Sequence, residues 1–214
     1  MKKYIIILGP PGSGKGTQAK NIAEKYGYYF FGTGDLMRDE AKKETSLGLE
    51  FKKVWDQKRG GLVSEELVQR FVREKLESLG IDQKIIFDGY PRSVLQAEHL
   101  NNILKSREIL ILNLVVAENE LIERMSTRRI CEKCEKIFEK PIEKGIKVCD
   151  NCVGELILRQ EDQPEVIHKR LEVYNQATAP VVNYYKKNAQ VENIDGNPPI
   201  DVVWQSIQKE VEND

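Results

Sequence analysis

Between Tyr4 and Lys20 the chain changes character twice. The apolar run Tyr4-Ile5-Ile6-Ile7-Leu8 stops at Gly9-Pro10-Pro11-Gly12-Ser13-Gly14-Lys15-Gly16-Thr17, and a helical pattern follows. Successive β-branched isoleucines are poor helix formers and suit a buried strand. Glycines at 9, 12 and 14 permit positive φ and let backbone amides crowd round an anion. Lys15 adds a mobile positive charge at a helix N-terminus, where the peptide dipoles already favour phosphate. Strand, glycine loop, lysine and helix in that order fit the Walker A phosphate-binding pattern, with one departure. The Ser/Thr place after the lysine holds Gly16, and the hydroxyl comes one residue later on Thr17. The loop is therefore expected to hold phosphate, with any magnesium ligated elsewhere.

The chain's 214 residues give room for one core of ordinary size and a small inserted module. Acids outnumber bases by 34 to 33, so the net charge of -1 supplies no steering field toward nucleic acid or an anionic membrane. No apolar run approaches the ~20 residues that span a bilayer. The start, Met1-Lys2-Lys3 before Tyr4 to Leu8, superficially resembles a signal peptide. Its apolar part falls short of the ~7–15 residues such a signal needs, and it ends in a phosphate loop. A soluble, cytoplasmic protein is expected. In a reducing compartment its cysteines point to a metal site more than to disulfides.

Past the loop, a helix is expected to Tyr26 with Gly27 as its C-cap, then a short strand over Tyr28 to Phe31. That strand delivers Gly32-Thr33-Gly34-Asp35 to the carboxyl end of the sheet, where open α/β folds bind ligands. Thr33 or Asp35 can cap the next helix, and Thr33 with Arg38 can hold a second ligand; a capping threonine and a solvated arginine are the plainer alternative. From Lys42 to Lys58 a polar stretch carries a thin apolar stripe (Leu47, Leu49, Phe51, Val54, Trp55) and breaks at Arg59-Gly60-Gly61, which suggests a helical excursion off the sheet. Ser64 opens a helix with Glu65 and Glu66 in its first turn and Leu67, Val68, Phe71, Val72 and Leu76 inward, ending at Gly80.

A strand over Lys84 to Phe87 runs into Asp88-Gly89-Tyr90-Pro91-Arg92. An acid at that place suits magnesium, directly or through water, or simply caps a helix. Arg92 and Gln96 offer a guanidinium for phosphate and an amide for a base edge on one face. Ile109 to Val116 is a central strand, and a helix over Asn119 to Arg129 puts Arg124 and Arg128 on a shared face, for a ligand or for the helix dipole. Pro164 starts a long helix with Val166, Ile167, Leu171 and Tyr174 inward and Arg170 toward a cleft. His99 and His168 read as solvated helix residues. A last strand, Gln190 to Ile194, precedes a helix with Val202, Val203 and Ile207 inward.

Cys131-Glu132-Lys133-Cys134 and Cys149-Asp150-Asn151-Cys152 are paired Cys-x-x-Cys knuckles. Each presents two thiolates to one tetrahedral ion, zinc by default, with iron in a four-thiolate site as the competitor. Four cysteine ligands leave no open position, so the metal is structural. Between 132 and 155 the acids Glu132, Glu135, Glu139, Glu143, Asp150 and Glu155 balance lysines 133, 136, 140, 144 and 147, and Phe138 is the sole aromatic. Without a basic stripe or stacking platform, a nucleic-acid ribbon is disfavoured.

These segments frame a two-ligand site rich in arginine, which is what phosphoryl transfer requires: in-line positioning and positive charge on the moving group. In combination, GPPGSGKGT at 9 to 17, TGD with Arg38, GLV at 61 to 63, DGYPR at 88 to 92 with Gln96, RR at 128 and 129, and DQPEVIHKR at 162 to 170 resemble adenylate kinases of the long, lid-bearing bacterial type. The resemblance runs over nearly the whole chain. It implies a three-layer α/β P-loop kinase fold with a five-stranded parallel sheet. The core would span 1–32, 64–128 and 161–214, with a helical monophosphate-binding insert at 33–63 and a zinc-knuckle lid at 129–160. It implies transfer from magnesium-ATP to AMP giving two ADP, by a monomer with no nucleic-acid or membrane partner, using Mg2+ and a structural Zn2+ on Cys131, Cys134, Cys149 and Cys152. ATP would meet Gly12, Ser13, Gly14, Lys15, Gly16, Thr17, Arg124, Arg128 and Pro198. AMP would meet Thr33, Arg38, Val63, Gly89, Arg92, Gln96, Arg159 and Arg170. Lys15, Arg92, Arg124, Arg128, Arg159 and Arg170 would act on the transferring phosphates, with Asp88 behind magnesium through water. The lid departs from the type: its knuckles are closer together, and Glu139 stands where such lids often carry a histidine near ATP. A CMP or UMP kinase and a zinc-bearing nucleotide switch are the competing readings.

Overall fold

The computed structural model describes residues 1–57, 63–80, 82–105, 108–134, 136–187 and 189–213. The break expected at Arg59-Gly60-Gly61 lies outside them. Five strands form the main sheet: β1 (Tyr4–Leu8), β2 (Tyr29–Gly32), β3 (Ile85–Asp88), β4 (Ile109–Val115) and β8 (Gln190–Asp195). All pair in parallel, in the order β2-β3-β1-β4-β8, with β1 at the centre.

Cover on both sides explains the uninterrupted apolar runs of β1, β3 and β4, whose two faces are both buried, whereas the edge strand β8 is largely exposed or half-buried. Ile5 and Ile7 point to one face, with Ile86, Leu110, Leu112 and Leu114. They pack under Ala19 and Ile22 of α1 (Lys15–Tyr26) and Val203, Ile207 and Val211 of α9 (Ile200–Glu212). Ile6, Leu8, Phe87 and Ile111 point to the other face. There they meet α4 (Glu65–Glu77), α5 (Val94–Leu104) and α8 (Ala179–Tyr185). The sheet lies between two helical layers, and each fully buried aliphatic contributes roughly 1.5–3 kcal/mol.

The helices α2 (Thr33–Ala41) and α3 (Ser46–Gln57) form the excursion after β2. Phe51 of α3 is fully buried and meets Phe71 of α4 edge to face at 5.4 Å, which ties the excursion to the core. The antiparallel strands β5 (Arg129–Cys131), β6 (Ile137–Phe138) and β7 (Leu156–Ile157) make a second, small sheet after α6 (Glu118–Thr127). The helix begun at Pro164 is interrupted: α7 (Pro164–Val173) passes through a π-helical turn over Tyr174–Thr178 before α8. No helix among the described residues is long and apolar enough to cross a membrane.

Several local expectations are corrected. Neither Thr33 nor Asp35 caps α2: Gly32, still paired with Asp88 in the sheet, is the N-cap, so no side chain precedes the first turn. The helix α4 ends at Glu77 with Ser78 as its C-cap, before Gly80. The helix α6 stops at Thr127, and Arg128 is extended with ψ 154°, so Arg124 and Arg128 do not share a helix face. In α9 the buried stripe is Val203, Ile207 and Val211, whereas Val202 is 42 % exposed.

The turn between α2 and α3 closes on Gly48. A Cβ there would stand 2.4 Å from the carbonyl oxygens of both Glu40 and Lys43. These are backbone atoms that cannot step aside without moving α2. Gly48→Ala is therefore expected to destabilise the protein by about 1–3 kcal/mol, measured as a fall in the urea midpoint.

Candidate active site

Register brings the functional ends together. Ile7 pairs with Asp88 and Asp88 with Gly32, so the glycine loop, Asp88 and Thr33 leave three adjacent strands along one rim. At Gly12 and Gly14 the φ values of 84° and 85° are left-handed, turning amides inward where L side chains are strained. A Cβ at Gly12 would lie 3.0 Å from Met125 of α6, and one at Gly16 would lie 3.1 Å from Asp88 Oδ2. The second distance explains the departure from the Walker pattern: a serine or threonine at 16 would crowd the acid at the end of β3.

Among the described residues, Ser13 Oγ, Thr33 Oγ1 and Asp88 Oδ1 are buried with no hydrogen-bond partner. Buried polar atoms left unpaired are costly, and three on one rim mark a surface built for a polar ligand. Lys15 Nζ curls back to donate to the Pro10 carbonyl at 3.2 Å. Burial lowers its pKa to about 8; Asp88 opposes the shift, and Arg92, Arg170 and Arg128 reinforce it. Burial raises the Asp88 carboxyl against the pull of Lys15 and Arg92.

The arginines come from separate parts of the chain. Arg128 donates to both oxygens of Asp162 at 2.5 and 2.6 Å, and Arg170 to Asp162 Oδ1 at 2.9 Å. Asp162 is 0 % exposed, so the two guanidiniums are fixed by one buried carboxylate. Sequence reading took Arg128 and Arg170 but missed Asp162; the signal available was an acid two residues before the proline that starts α7. Arg124 bonds Glu120 at 2.7 Å and the Asn197 carbonyl at 3.0 Å, and Arg159 lies 3.6 Å from Glu161. Arg92 Nε donates to the Gly89 carbonyl at 2.9 Å, while the Arg92 carbonyl accepts from Thr178 Oγ1 of the π-helical turn at 2.9 Å.

On the second-ligand side, Thr33 is buried and Arg38 is exposed and paired with Asp35. Gln96 is buried, its Oε1 accepting from Arg92 N at 2.6 Å and its Nε2 donating to Glu65 at 3.1 Å. Each end of the amide retains one further hydrogen-bonding position. Val63 packs, half-buried, against the core. His168 is exposed as expected; His99 is instead half-buried, with Tyr90 and Arg73 on its two nitrogens.

A cavity of about 350 Å³ opens beside the loop, lined by Ser13, Gly14, Arg124, Pro198, Glu139 and Lys140 among others. Lys140, on its lining, pairs with Glu123 of α6. The segment carrying Glu139 thus faces the phosphate loop although it belongs to the cysteine insert.

In that insert the four Sγ atoms lie within 4.8 Å of one another, and none is in a disulfide. Cys131 and Cys152 approach to 3.3 Å, and Cys134 and Cys149 to 3.5 Å. Sulfurs ~2.3 Å from a tetrahedral zinc would be about 3.8 Å apart, between the 3.3 Å of Cys131 and Cys152 and the 4.8 Å that bounds all four, so small adjustments separate this arrangement from a metal site. A Cβ at Gly154 would meet Cys131 Sγ at 2.6 Å, so glycine there lets the second knuckle close on the first. Cys134 is brought down to about 6, first by the Lys136 amide, and Cys152 is pushed up to about 12 by bonds to Cys131 and Cys134. Four crowded thiols share their protons unequally, and a bound cation favours losing them all.

The adenylate kinase family profile matches residues 7–190. Curated relatives named adenylate kinase include one from Archaeoglobus fulgidus, 40 % identical over 210 residues and covering 95 % of each chain. One from Kosmotoga olearia is 40 % identical over 98 % of this chain and 99 % of its own, and one from Methanothrix thermoacetophila is 41 % identical over 96 % of each.

Around the cysteines the apolar cluster is small: Cys131, Phe138 and Cys149 are its buried members, with Ile146, Cys152 and Leu156 packed against them. So few contacts cannot offset the entropy of ordering the insert, and a bound metal would supply the difference. Chelation is expected to lower the melting temperature in calorimetry by ~2–4 °C for each kcal/mol lost, with turnover retained while the insert stays folded. Abolished turnover with the insert still folded would give the metal a chemical role.

Proposed function

The chain belongs to the adenylate kinase family and converts ATP and AMP into two ADP, and on that premise we propose how its residues divide the work. The triphosphate half is Gly12, Ser13, Gly14, Lys15, Gly16 and Thr17 with Arg124, Arg128 and Pro198, ATP entering the cavity beside the loop. The monophosphate half is Thr33, Arg38, Val63, Gly89, Arg92 and Gln96. Arg159 and Arg170 reach the phosphates of both. The observation that supports this division is the rim of unpaired buried polar atoms, Ser13 Oγ, Asp88 Oδ1 and Thr33 Oγ1, running from one half to the other. The core at 1–32, 64–128 and 161–214, the monophosphate insert at 33–63 and the lid at 129–160 follow the same division.

An AMP phosphate is already anionic near neutral pH, so its attack needs alignment more than a general base. Loop amides and Lys15 hold the β- and γ-phosphates of ATP. Arg128 and Arg170, fixed by Asp162, neutralise charge as the phosphoryl group passes between oxygens. Asp162 orients both guanidiniums before substrate arrives, so their reorganisation adds little to the barrier. Arg38 exchanges Asp35 for the AMP phosphate, and Gln96 turns its free donor and lone pair to adenine. Asp88 would hold, through water, the magnesium that accompanies ATP, which would supply charge neutralisation to the phosphates; Gly16, without a side chain, leaves the Asp88 carboxylate uncrowded for that role. Cys131, Cys134, Cys149 and Cys152 would hold zinc, which would stabilise the lid's fold and supply nothing to the chemistry. A cytoplasmic monomer without a nucleic-acid partner completes the reading.

The division is tested by kinetics in both substrates. Arg92→Ala should raise KM for AMP about tenfold or more with KM for ATP little changed, and Arg124→Ala the reverse. Arg128→Ala should lower kcat by ~10²–10³. Equal effects on both KM values from Arg92→Ala and Arg124→Ala would overturn the assignment.

Lys15 sets a pH limit. Burial favours its neutral form, so the ammonium present below its pKa of about 8 is lost as pH rises through that value. The expected profile of kcat/KM for magnesium-ATP falls above pH of about 8, while kcat at saturating ATP falls only at higher pH, because bound phosphate restores the charge.

A further inference from the structure

The loop from Gly89 to Arg92 is pinned at both ends. Asp88 remains in the sheet, and Arg92 is held through its amide by Gln96, through its carbonyl by Thr178 and through its guanidinium by Gly89. The middle is fixed differently. Tyr90 is 1 % exposed, its ring lies in the core cluster, and its hydroxyl lies 2.9 Å from Nδ1 of His99 on α5. The other ring nitrogen of His99, Nε2, faces Arg73 Nη2 of α4 at 3.4 Å.

A guanidinium can only donate, so Nε2 must accept, and the single proton of a neutral ring resides on Nδ1, which donates to the Tyr90 oxygen. A second ring proton would stand against Arg73. Burial and Arg73 accordingly lower the His99 pKa, with Glu65 opposing them. Glu65 also belongs to α4 and accepts from Gln96 and Ser93. Two chains of hydrogen bonds therefore run from α4 through α5 to the loop: Glu65 to Gln96 to Arg92, and Arg73 to His99 to Tyr90. The first is absorbed by the reading given for Gln96; the second contains no residue assigned to a ligand and lies beyond it.

We propose that His99 is a positioning residue for the monophosphate half of the site, holding the Gly89–Arg92 loop in place through the Tyr90 hydroxyl. The inference rests on the assignment of that loop to AMP. Loss of the bond leaves the Tyr90 ring in the core but frees its hydroxyl end, and the error is carried two residues on to the Arg92 guanidinium. Affinity for AMP should suffer, while the glycine loop and Arg128, on other elements, should not be disturbed.

The test is steady-state kinetics of the full chain with both substrates. His99→Ala and Tyr90→Phe should each raise KM for AMP about fivefold, the scale of one net hydrogen bond, leaving KM for ATP and kcat within about twofold. The double variant should be no worse than either single one, since both remove the same bond. His99→Asn, whose amide nitrogen falls near the place of Nδ1, should recover most of the AMP affinity. His99 is partly exposed, so its variants should fold even if Tyr90→Phe does not. Arg92→Ala, measured alongside, separates the two layers of inference. If it raises KM for AMP but His99→Ala does not, the positioning role is wrong; if neither does, the loop assignment falls and the proposal with it. Parallel rises in both KM values, or additive effects in the double variant, would also overturn it.

Discussion

Cations gathered for a polyanion repel one another until it arrives, and this protein surrounds that repulsion with buried acids. Burial already loosens the proton of Lys15, and Arg92, Arg170 and Arg128 loosen it further. Asp162, with no exposed surface, takes Arg128 and Arg170 together, and Asp88 opposes the loss from Lys15. The acids reach these places because of the sheet: parallel register aligns the carboxyl ends of β1, β2 and β3, and α7 brings Arg170 from a distant part of the chain. Removal of either acid would leave buried positive charge uncompensated, which is more costly than the pair is favourable.

Local signals carried much of the fold. A strand of successive isoleucines running into Gly-x-x-Gly-x-Gly-Lys has few alternatives, and β1 spans Tyr4–Leu8 as read. The N-cap Ser64 and the apolar face of α4 were equally legible, because capping and 3.6-residue periodicity are properties of neighbours in sequence. Metal knuckles belong to the same class.

What the residues hid was contact at long sequence separation. Asp162 reads as one acid among many until folding sets it against Arg128. His99 reads as a solvated helix residue because nothing near it in sequence announces Tyr90 above or Arg73 across. Arg128 fell on the wrong side of a helix end, and one extended residue was enough to send its side chain elsewhere. The Gly16 departure was visible but not interpretable, since its cause is the Asp88 oxygen 3.1 Å from where a Cβ would stand.

The pairing of Lys140 with Glu123 joins the cysteine insert to α6 beside the cavity, and both side chains are more than a third exposed. An ion pair so placed is worth roughly 0–1 kcal/mol, close to the thermal energy of about 0.6 kcal/mol, and salt screens it. The insert is fastened at that point by a catch that thermal agitation can undo. Ionic strength would then govern how often the cavity is roofed, independently of anything it does to substrate affinity.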